Sequence, residues 1–189
     1  IDPMHYAIGD DFHVLPGVLD HRGMEIAPLG RSAVEEACKS CKDNGIDMFA
    51  VVGKFSVRNP EQERTMGEIL GDAAEHVTYG YRLSGRLSFP RRIASTYYNS
   101  AVWRVFNKFA DAVEKSLAEI GLECPINILK ADGGTMPLNL ARGVPVNSIL
   151  SGPAASVMGM AAMLAEDEDA IVLDIGGTTT DIAMFAQGS

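Results

Sequence analysis

Residues 170–185 of this 189-residue chain read AIVLDIGGTTTDIAMF, two short apolar runs separated by a polar segment that begins with two glycines. Apolar runs of this length are typical of buried strands, and paired glycines favour a tight turn between them. We therefore predict a buried strand at 170–175 and a second strand at 181–185, joined as a hairpin. An apolar strand, a tight turn and a second apolar strand, with the carboxylate of Asp174 near the turn, form a far more specific pattern than two glycines alone.

The predicted hairpin offers the groups that a phosphate chain and its metal ion need. Gly176 and Gly177 leave room for a ligand to approach the backbone, and successive N–H groups in a tight turn form an anion-binding concavity. Threonine hydroxyls add further donors, and Asp174 can hold Mg²⁺ directly or through water. The alternative interpretation is a hairpin in which the two glycines only make the turn.

Helices and strands alternate along the rest of the chain. Helical spacing of apolar residues predicts helices at 31–44, 60–74 and 90–121 and a further helix from Pro153, while strands are predicted at 48–52, 76–83 and 126–129. Gly45 ends the first of these helices, and Pro60 and Pro90 begin the next two. This alternation indicates an α/β protein.

The predicted helix at 90–121 carries apolar residues at three-to-four spacing. They are Tyr98, Val102, Val105, Phe109, Val113, Leu117 and Ile120. We expect this stripe to face the core.

Two groups of residues resemble metal ligands, and we interpret both as structural. Cys38 and Cys41 form a C-x-x-C inside the first predicted helix with no second such pair, so we expect buried helix residues without a metal or redox role. The acidic and histidine side chains near the N-terminus match no helical ligand spacing and are expected to be solvated loop residues. They are Asp10, Asp11, His13, Asp20 and His21.

The charge and composition exclude several classes of protein. A formal net charge of -9 disfavours a nucleic-acid surface and docking on anionic membranes. The sequence contains neither an apolar run of transmembrane length nor a secretion signal. Three cysteines fit a reducing compartment better than a disulfide framework, so we expect a cytoplasmic protein without nucleic-acid or membrane partners.

Five stretches, in this order, resemble the hydantoin-utilisation protein A and 5-oxoprolinase family of the actin-like ATPase superfamily. They are FSVRNPEQE (55–63), HVTYGYRLSGRLSFPRRIAS (76–95), KADGGTMPL (130–138), SGPAASVMG (151–159) and DIGGTTTDI (174–182). The resemblance implies a partial actin-like ATPase, or ribonuclease H-like, α/β fold with a mixed sheet and flanking helices. Residues 1–166 would belong to the first lobe, with an inter-lobe helix at 153–165, and residues 167–189 would begin the second lobe.

The resemblance also implies the chemistry: ATP-dependent opening of a cyclic amide such as a hydantoin or 5-oxoproline. Asp174 would help to hold Mg²⁺, and the nucleotide would be bound by two further groups of residues. Phosphates would be contacted by Gly176, Gly177 and Thr178, with Thr179, Thr180 and Asp181 supporting the loop, and Gly133, Gly134, Ser151 and Gly152 would face the cleft. Residues that act directly in catalysis are not identified by the resemblance.

Other features of the family pattern are missing from the sequence. No hairpin of the Asp-x-Gly-x-Thr type precedes Ile175, and no adenosine pocket follows, so we expect a fragment of a longer protein that self-associates or is weakly ordered at 170–185. A second subunit or domain of the hydantoinase B type is the expected partner. Two alternatives stay open, a subunit of an ATP-dependent ketone carboxylase and an actin-like module that binds nucleotide without turnover.

Overall fold

The structure is a computed structural model that describes residues 3–9, 11–163 and 169–186. The chain divides into two compact units, Ile1–Arg104 and Val105–Ser189. The α/β class predicted from the sequence is confirmed, because helices and strands alternate in both units. The predicted lobe boundary at 166/167 and most of the acidic turn before Asp169 lie outside the described residues.

The first unit contains a parallel strand pair connected through a helix. Its strands are β1 Val18–Leu19, β2 Glu25–Ala27, β3 Met48–Val51 and β4 His76–Tyr79, and its helices are α1 Arg31–Asp43, α2 Glu61–Leu70, α3 Gly80–Leu83 and the beginning of α4 Phe89–Glu119. Short 3-10 helices cover Pro3–Tyr6 and Gly71–Ala73. β3 and β4 pair in parallel from Met48↔His76 to Val51↔Tyr79, with α2 as the crossover, whereas β1 and β2 pair antiparallel.

The core of this unit lies where α1 and α2 cover the parallel pair. Val34 from α1, Val51 from β3 and Met66 and Leu70 from α2 form one buried cluster. α1 ends as predicted, because Gly45 adopts a left-handed φ of 74° and its N–H donates to the carbonyl of Lys42.

The predicted strand at 76–83 is wrong in its second half. β4 ends at Tyr79, and residues Gly80–Leu83 form the short helix α3. The alternating pattern continues past Tyr79, but the backbone turns because the Tyr81 N–H donates to the buried Glu63 carboxylate at 3.1 Å. A contact over eighteen residues thus overrides the local pattern.

The predicted core stripe of α4 is also largely wrong. Val105 is 71% exposed and Phe109 is 52% exposed, while most of the buried side chains in the first half of the helix are polar. The buried side chains there include Arg92, Thr96, Asn99 and Ser100. Polar groups can occupy this face because several of them are hydrogen-bonded, including Arg92 to the segment after β3 and Asn99 to Thr78.

The second unit contains the rest of α4 and two antiparallel pairs. Its further elements are β5 Asn127–Leu129, β6 Thr135–Pro137, α5 Leu138–Ala141, a 3-10 helix at Pro145–Ser148, α6 Ser151–Ala161, β7 Ala170–Ile175 and β8 Thr180–Phe185. β5 pairs with β6 and β7 pairs with β8, which confirms the predicted hairpin. A single mixed sheet, as the resemblance implied, is not formed by the described residues: they contain four separate two-stranded sheets. Three of these are local hairpins, whose pairing is set by the turn between consecutive strands.

The strands of the β7–β8 hairpin are buried on one face only, which corrects the prediction of a buried strand at 170–175. Asp174 and Val172 point to the same side of β7, since alternate residues share a face. This side faces α6, as the contact between Asp174 and Ser156 shows, and Val172 is buried. On the opposite side Ile171 and Ile175 are exposed, because no described element covers that face.

Candidate functional site

A backbone hydrogen bond closes the turn between β7 and β8. Asp174 is the cross-strand partner of Asp181, and Ile175 is the partner of Thr180. Beyond this last pair, the Gly176 N–H donates to the carbonyl of Thr179 at 2.9 Å. Gly177 and Thr178 therefore form the tip of the turn, with Asp174 and Asp181 one step below it.

The two glycines at this tip are not required by the conformation of the turn. Neither Gly176 nor Gly177 has a positive φ, so the expectation that they free the backbone to turn is not met. A Cβ at Gly177 would have no atom within 4 Å, whereas a Cβ at Gly176 would lie 3.3 Å from the Thr179 carbonyl oxygen. What Gly177 provides is open space over the backbone, as a site for a closely approaching ligand needs.

Two carboxylates face each other below the turn. Directly opposed residues of an antiparallel pair have Cβ atoms about 5 Å apart on one face, and like charges in that position repel. Asp174 and Asp181 are both exposed, and the Ser156 hydroxyl donates to Asp174 Oδ2. Mg²⁺ prefers one or two carboxylates together with water and phosphate oxygens, so this donor set fits the ion and a cation would relieve the repulsion.

Helix α6 brings two of the predicted segments together. Ser156 contacts Asp174, and Met158 lies against the turn between β5 and β6, where a Cβ at Gly133 would be 3.1 Å from the Met158 sulfur. Gly133 has a φ of 81°, and the neighbouring Gly134 N–H donates to Asp132 Oδ1 at 2.9 Å. The turn that contains Gly133 and Gly134 and the end of β7 thus both lie on α6, although they are some forty residues apart in sequence.

The N-terminal end of the same helix contains the remaining predicted residues. Ser151 and Gly152 form its first turn, preceded by Leu150 in the left-handed region with a φ of 63°. A Cβ at Gly152 would have no atom within 4 Å. Both residues therefore lie on the helix that contacts Asp174, about one turn before Ser156.

A buried polar cluster in the first unit was not foreseen from the sequence. Glu63 on α2 accepts the Gly53 N–H at 2.7 Å and the Tyr81 N–H at 3.1 Å, which links the segments that follow β3 and β4. Arg92 on α4 lies 3.9 Å from Glu63 and donates to the Ser56 hydroxyl at 2.9 Å. It also donates to the carbonyls of Gly53 and Lys54.

Both charged side chains of this cluster are almost fully buried, Glu63 at 0% and Arg92 at 1% exposure. Burial raises the pKa of the Glu63 carboxyl, while hydrogen bonds from Ser56, Gly53 and Tyr81 and the charge of Arg92 act in the opposite direction. Burial likewise lowers the pKa of Arg92 against the effect of Glu63. The sequence signal that could have found the cluster is the presence of these residues in the stretches FSVRNPEQE and FPRRIAS, which the phosphate-site hypothesis did not use.

The cysteine pair and the N-terminal polar residues belong to the first unit. Cys41 is buried on α1 as predicted, whereas Cys38 is only half-buried. The Cys41 sulfur lies 3.5 Å from Nε2 of His13, a loop residue that is exposed as predicted. Asp20 holds a turn by accepting the N–H groups of Arg22 and Met24, and the latter bond is the main reason why its pKa is lowered. Asp10 lies outside the described residues. In residues 3–9, 11–163 and 169–186, no group of three or more His, Cys, Asp or Glu side chains is placed to hold a metal ion.

No helix in the described part of the chain combines the length and the apolar character that crossing a membrane requires.

Comparison with known proteins gives relatives of several kinds. The chain is 27% identical over 173 residues to the caprolactamase subunit alpha of Pseudomonas jessenii, which covers 88% of this chain and 24% of the relative. It is 22% identical over 175 residues to an uncharacterized protein of Methanocaldococcus jannaschii, covering 90% of this chain and 26% of that protein. The chain therefore spans about a quarter of the length of these curated relatives.

Two solved structures share the fold. A nucleotide-free acetone carboxylase structure superposes with a TM-score of 0.77 at 21% identity, over 92% of this chain and 25% of that one. The ATP-dependent caprolactamase of Pseudomonas jessenii superposes with a TM-score of 0.73 at 24% identity, over 90% of this chain and 25% of that one. Two family models match the sequence, the hydantoinase/oxoprolinase N-terminal region at residues 5–74 and hydantoinase/oxoprolinase at residues 92–189. Since the latter covers half of the chain, the protein belongs to the hydantoinase/oxoprolinase family.

Proposed function

We propose that the whole protein is an ATP-dependent hydrolase that opens a cyclic amide, and that this chain supplies part of its nucleotide site on an actin-like ATPase fold. The observation that carries the proposal is the β7–β8 turn, which has an open tip at Gly177 above two facing carboxylates. This turn lies inside the region that matches the hydantoinase/oxoprolinase family. The similarity to a caprolactamase subunit supports a cyclic amide as the substrate class.

Residues at the tip of the turn would bind the phosphates. The backbone N–H groups of Gly177 and Thr178 would donate to phosphate oxygens, because the space beside the Gly177 backbone is open. Asp174 and Asp181 would hold Mg²⁺, and the Ser156 hydroxyl would fix the orientation of Asp174. The edge of the site would be lined by two segments next to α6. They are the turn with Gly133 and Gly134, and the first turn of α6 with Ser151 and Gly152.

Bound Mg-ATP would transfer its terminal phosphoryl group to the amide carbonyl oxygen and leave as ADP. Water would then add to the carbonyl carbon, the ring nitrogen would leave with a proton, and inorganic phosphate would be released. The task of this chain in that reaction is to bind and orient the phosphates. Stabilisation of charge on the transferred group by fixed donors and a metal accounts for most catalysis in phosphoryl transfer.

A partner subunit is part of the proposal. The related caprolactamase chain is named as a subunit alpha, which implies at least one further subunit in that enzyme. We propose a hydantoinase B-type subunit or domain as the corresponding partner here.

A ketone carboxylase is the second candidate, favoured by the superposition on acetone carboxylase. It shares the activation of a carbonyl oxygen by ATP but ends in carboxylation. The two functions therefore differ in their need for bicarbonate and in the product.

The test is a product screen with the whole protein, ATP and Mg²⁺. Lactams, hydantoins, 5-oxoproline and small ketones are offered with and without bicarbonate, and products are identified by mass spectrometry. A ring-opened product that needs ATP but not bicarbonate is the expected result. A carboxylated product that forms only with bicarbonate would establish the second candidate, and nucleotide binding without substrate-dependent ATP hydrolysis would exclude both.

A further inference from the structure

Three side chains at the surface of the first unit bring two positive charges to one oxygen atom. Arg82 on α3 donates from Nε to the Tyr81 hydroxyl at 3.0 Å, and Arg64 on α2 donates from Nε to the same oxygen at 3.4 Å. Both guanidinium groups also lie over the Tyr81 ring, each 5.6 Å from its centroid. Two like charges at one atom repel each other, so an anion beside them is stabilised.

Arg82 is held in place although it forms no ion pair within the described residues. Its guanidinium lies over a second ring, that of Tyr79, at 5.2 Å from the centroid. The Tyr79 hydroxyl in turn packs against α2 at Gly67, where there is no room for a Cβ. The Tyr81 backbone is fixed by its hydrogen bond to the buried Glu63 carboxylate. The two rings therefore order an arginine that has not yet used its terminal nitrogens.

The segment around this cluster is basic in a chain whose net charge is -9. Residues 76–110 contain no Asp or Glu, and they contain six basic side chains: Arg82, Arg86, Arg91, Arg92, Arg104 and Lys108. Arg92 and Arg104 are paired with carboxylates from outside this segment. For Arg82, the part of the chain that the structure describes supplies no such carboxylate. Such local charge asymmetry is typical of a surface that meets an acidic partner.

The unused groups of the cluster suit a carboxylate. The terminal N–H groups of a guanidinium match the two carboxylate oxygens, and Arg82 uses only Nε within its own chain. The Tyr81 hydroxyl accepts both arginine bonds, so its own proton can be donated to a ligand. The hydrogen bond from Arg64 is the main cause that lowers the pKa of this hydroxyl, and Arg82 acts in the same direction. Both bonds thus make Tyr81 a better donor to an anion.

The open position of the cluster suits a polypeptide better than a small molecule. Arg82 is exposed, the Arg64 side chain is 52% exposed, and neither lines the cavity of about 890 Å³ in this unit. Small molecules bind in concave sites, whereas tyrosine and arginine are enriched on surfaces that bind other proteins. An arginine that is already ordered loses little freedom when it binds there.

We propose that Arg82, together with Arg64 and Tyr81, binds a carboxylate side chain in an acidic segment of the second subunit. The choice of a second subunit rests on the proposed function, which is supported by a relative named as a subunit alpha. The carboxylate chemistry follows from the cluster alone.

Cross-linking in the whole protein, purified together with its second subunit, identifies the group that Arg82 binds. Arg82→Lys keeps the positive charge and supplies an amine, and a water-soluble carbodiimide joins an amine to a carboxylate that it contacts. We expect mass spectrometry to find an amide bond between position 82 and an Asp or Glu of the second subunit. Arg31→Lys is the matched control, since the Arg31 side chain is 72% exposed on α1 and is paired with Glu35. Its amine should be joined to Glu35 and not to the second subunit.

Three results of this experiment would overturn the inference. They are amide bonds from position 82 only to carboxylates of its own chain, amide bonds only to a second copy of that chain, and no amide bond at position 82 while the one between position 31 and Glu35 forms.

The affinity of the two subunits measures how much the cluster contributes. We expect Arg82→Gln to weaken their association by about tenfold or more, whereas Arg31→Gln, which removes the same charge, should stay within about twofold of the parent. An equal loss in both variants would indicate a general effect of charge and would overturn the inference. The association is measured by surface plasmon resonance without ATP or substrate. An assembly that depends on Arg82 but opens no cyclic amide would therefore disprove the proposed function and leave this inference standing.

Discussion

Asp174 is the residue on which the phosphate-site hypothesis depends most directly. It is exposed, so its removal leaves no buried cavity and no unpaired buried charge. We predict that Asp174→Ala in the whole protein lowers ATP-dependent turnover by at least a hundredfold, because a group that positions the metal acts on the transition state. Steady-state kinetics at saturating Mg²⁺ gives the measurement, and the melting temperature should stay within a few degrees of the parent.

Ser156→Ala is the matched control for this prediction. It removes the hydroxyl that donates to Asp174 but leaves the carboxylate in place. Turnover should fall by much less than in Asp174→Ala, since Asp174 is then less well oriented but still present. Near-normal turnover in Asp174→Ala would show that this carboxylate has only a structural role.

Arg92 is the residue whose loss should most affect stability. Its side chain is 1% exposed and joins Glu63 to the segment after β3. We predict that Arg92→Met costs about 3–5 kcal/mol of unfolding free energy, because it leaves a carboxylate buried without its partner. Urea unfolding of the 189-residue chain measures this cost.

The neighbouring Arg91→Met is the control, since Arg91 is exposed and should change stability by about 0.5 kcal/mol or less. In the double variant Glu63→Gln/Arg92→Met the loss should be smaller than in Arg92→Met, because no charge is then left buried. A loss in the double variant at least as large as in Arg92→Met would show that the hydrogen bonds of the two side chains to the backbone, and not the ion pair, account for the effect.

At the scale of elements, the β5–β6 turn and the β7–β8 turn differ in whether their backbone conformation requires glycine. Gly133 has a φ of 81° and contacts Met158 on α6, whereas Gly177 has an ordinary φ and open space above it. We predict that Gly133→Ala destabilises the chain by about 1–2 kcal/mol, since an L-residue is strained at this positive φ and its Cβ would also displace the Met158 side chain. Gly177→Ala should leave the unfolding free energy within about 0.5 kcal/mol but weaken nucleotide binding in the whole protein.

Thermal unfolding of the chain and nucleotide titration of the whole protein test this pair together. The opposite pattern, an unstable Gly177→Ala with normal nucleotide binding, would favour the alternative interpretation in which Gly176 and Gly177 only make the turn.

Elements whose patterns are set locally could be predicted from the sequence, and those shaped by distant contacts could not. α1 with its end at Gly45 and the β7–β8 hairpin follow from spacing, glycine and the apolar runs. The end of β4 at Tyr79 depends on Glu63, and the polar buried face of α4 depends on groups that follow β3, so neither appears in local periodicity. β6 was missed because its sequence, Thr135–Pro137, has one large apolar side chain between a threonine and a proline and therefore shows no apolar run.

The candidate site also combines features that are local in sequence with features that depend on distant contacts. The residues of the turn could be proposed from the sequence because they are contiguous in DIGGTTTD. That Asp174 faces Asp181 is set by the register of the hairpin and was not predicted. The contact of Asp174 with Ser156 and that of Gly133 with Met158 depend on the packing of α6 against two other segments. A single sequence contains no signal for such packing, since both residues on α6 are ordinary helix residues.

For the whole molecule, nucleotide binding should require more than this chain. The donors that it supplies are those of one hairpin, and solvated triphosphate has to be taken from water by several groups at once. We predict that the isolated chain folds but binds Mg-ATP more weakly than 100 μM and does not hydrolyse it. Titration calorimetry measures the affinity, and a dissociation constant in the low micromolar range, about -8 kcal/mol, would show that this chain contains a complete nucleotide site.

The outer face of the β7–β8 hairpin should make the isolated chain self-associate. Five large apolar side chains are exposed on this face, Ile171, Leu173, Ile175, Ile182 and Met184, and Met184 is 77% exposed. They share one face because Ile171 pairs with Met184 and Leu173 with Ile182 across the hairpin. A contiguous apolar face of this kind, next to open strand edges, favours pairing with another chain.

We predict concentration-dependent dimers or larger species of the 189-residue chain in analytical ultracentrifugation. Met184→Lys should shift the equilibrium toward monomer by at least tenfold, because a charge in the centre of the contact has to be desolvated. Met24→Lys is the control, since Met24 is 61% exposed and lies in the first unit, outside the β7–β8 hairpin. If Met24→Lys and Met184→Lys reduce association equally, net charge and not the hairpin face controls it. If the chain is monomeric at high micromolar concentration, the exposed apolar face does not mediate self-association. The hairpin is then stable with only α6 packed on its inner side.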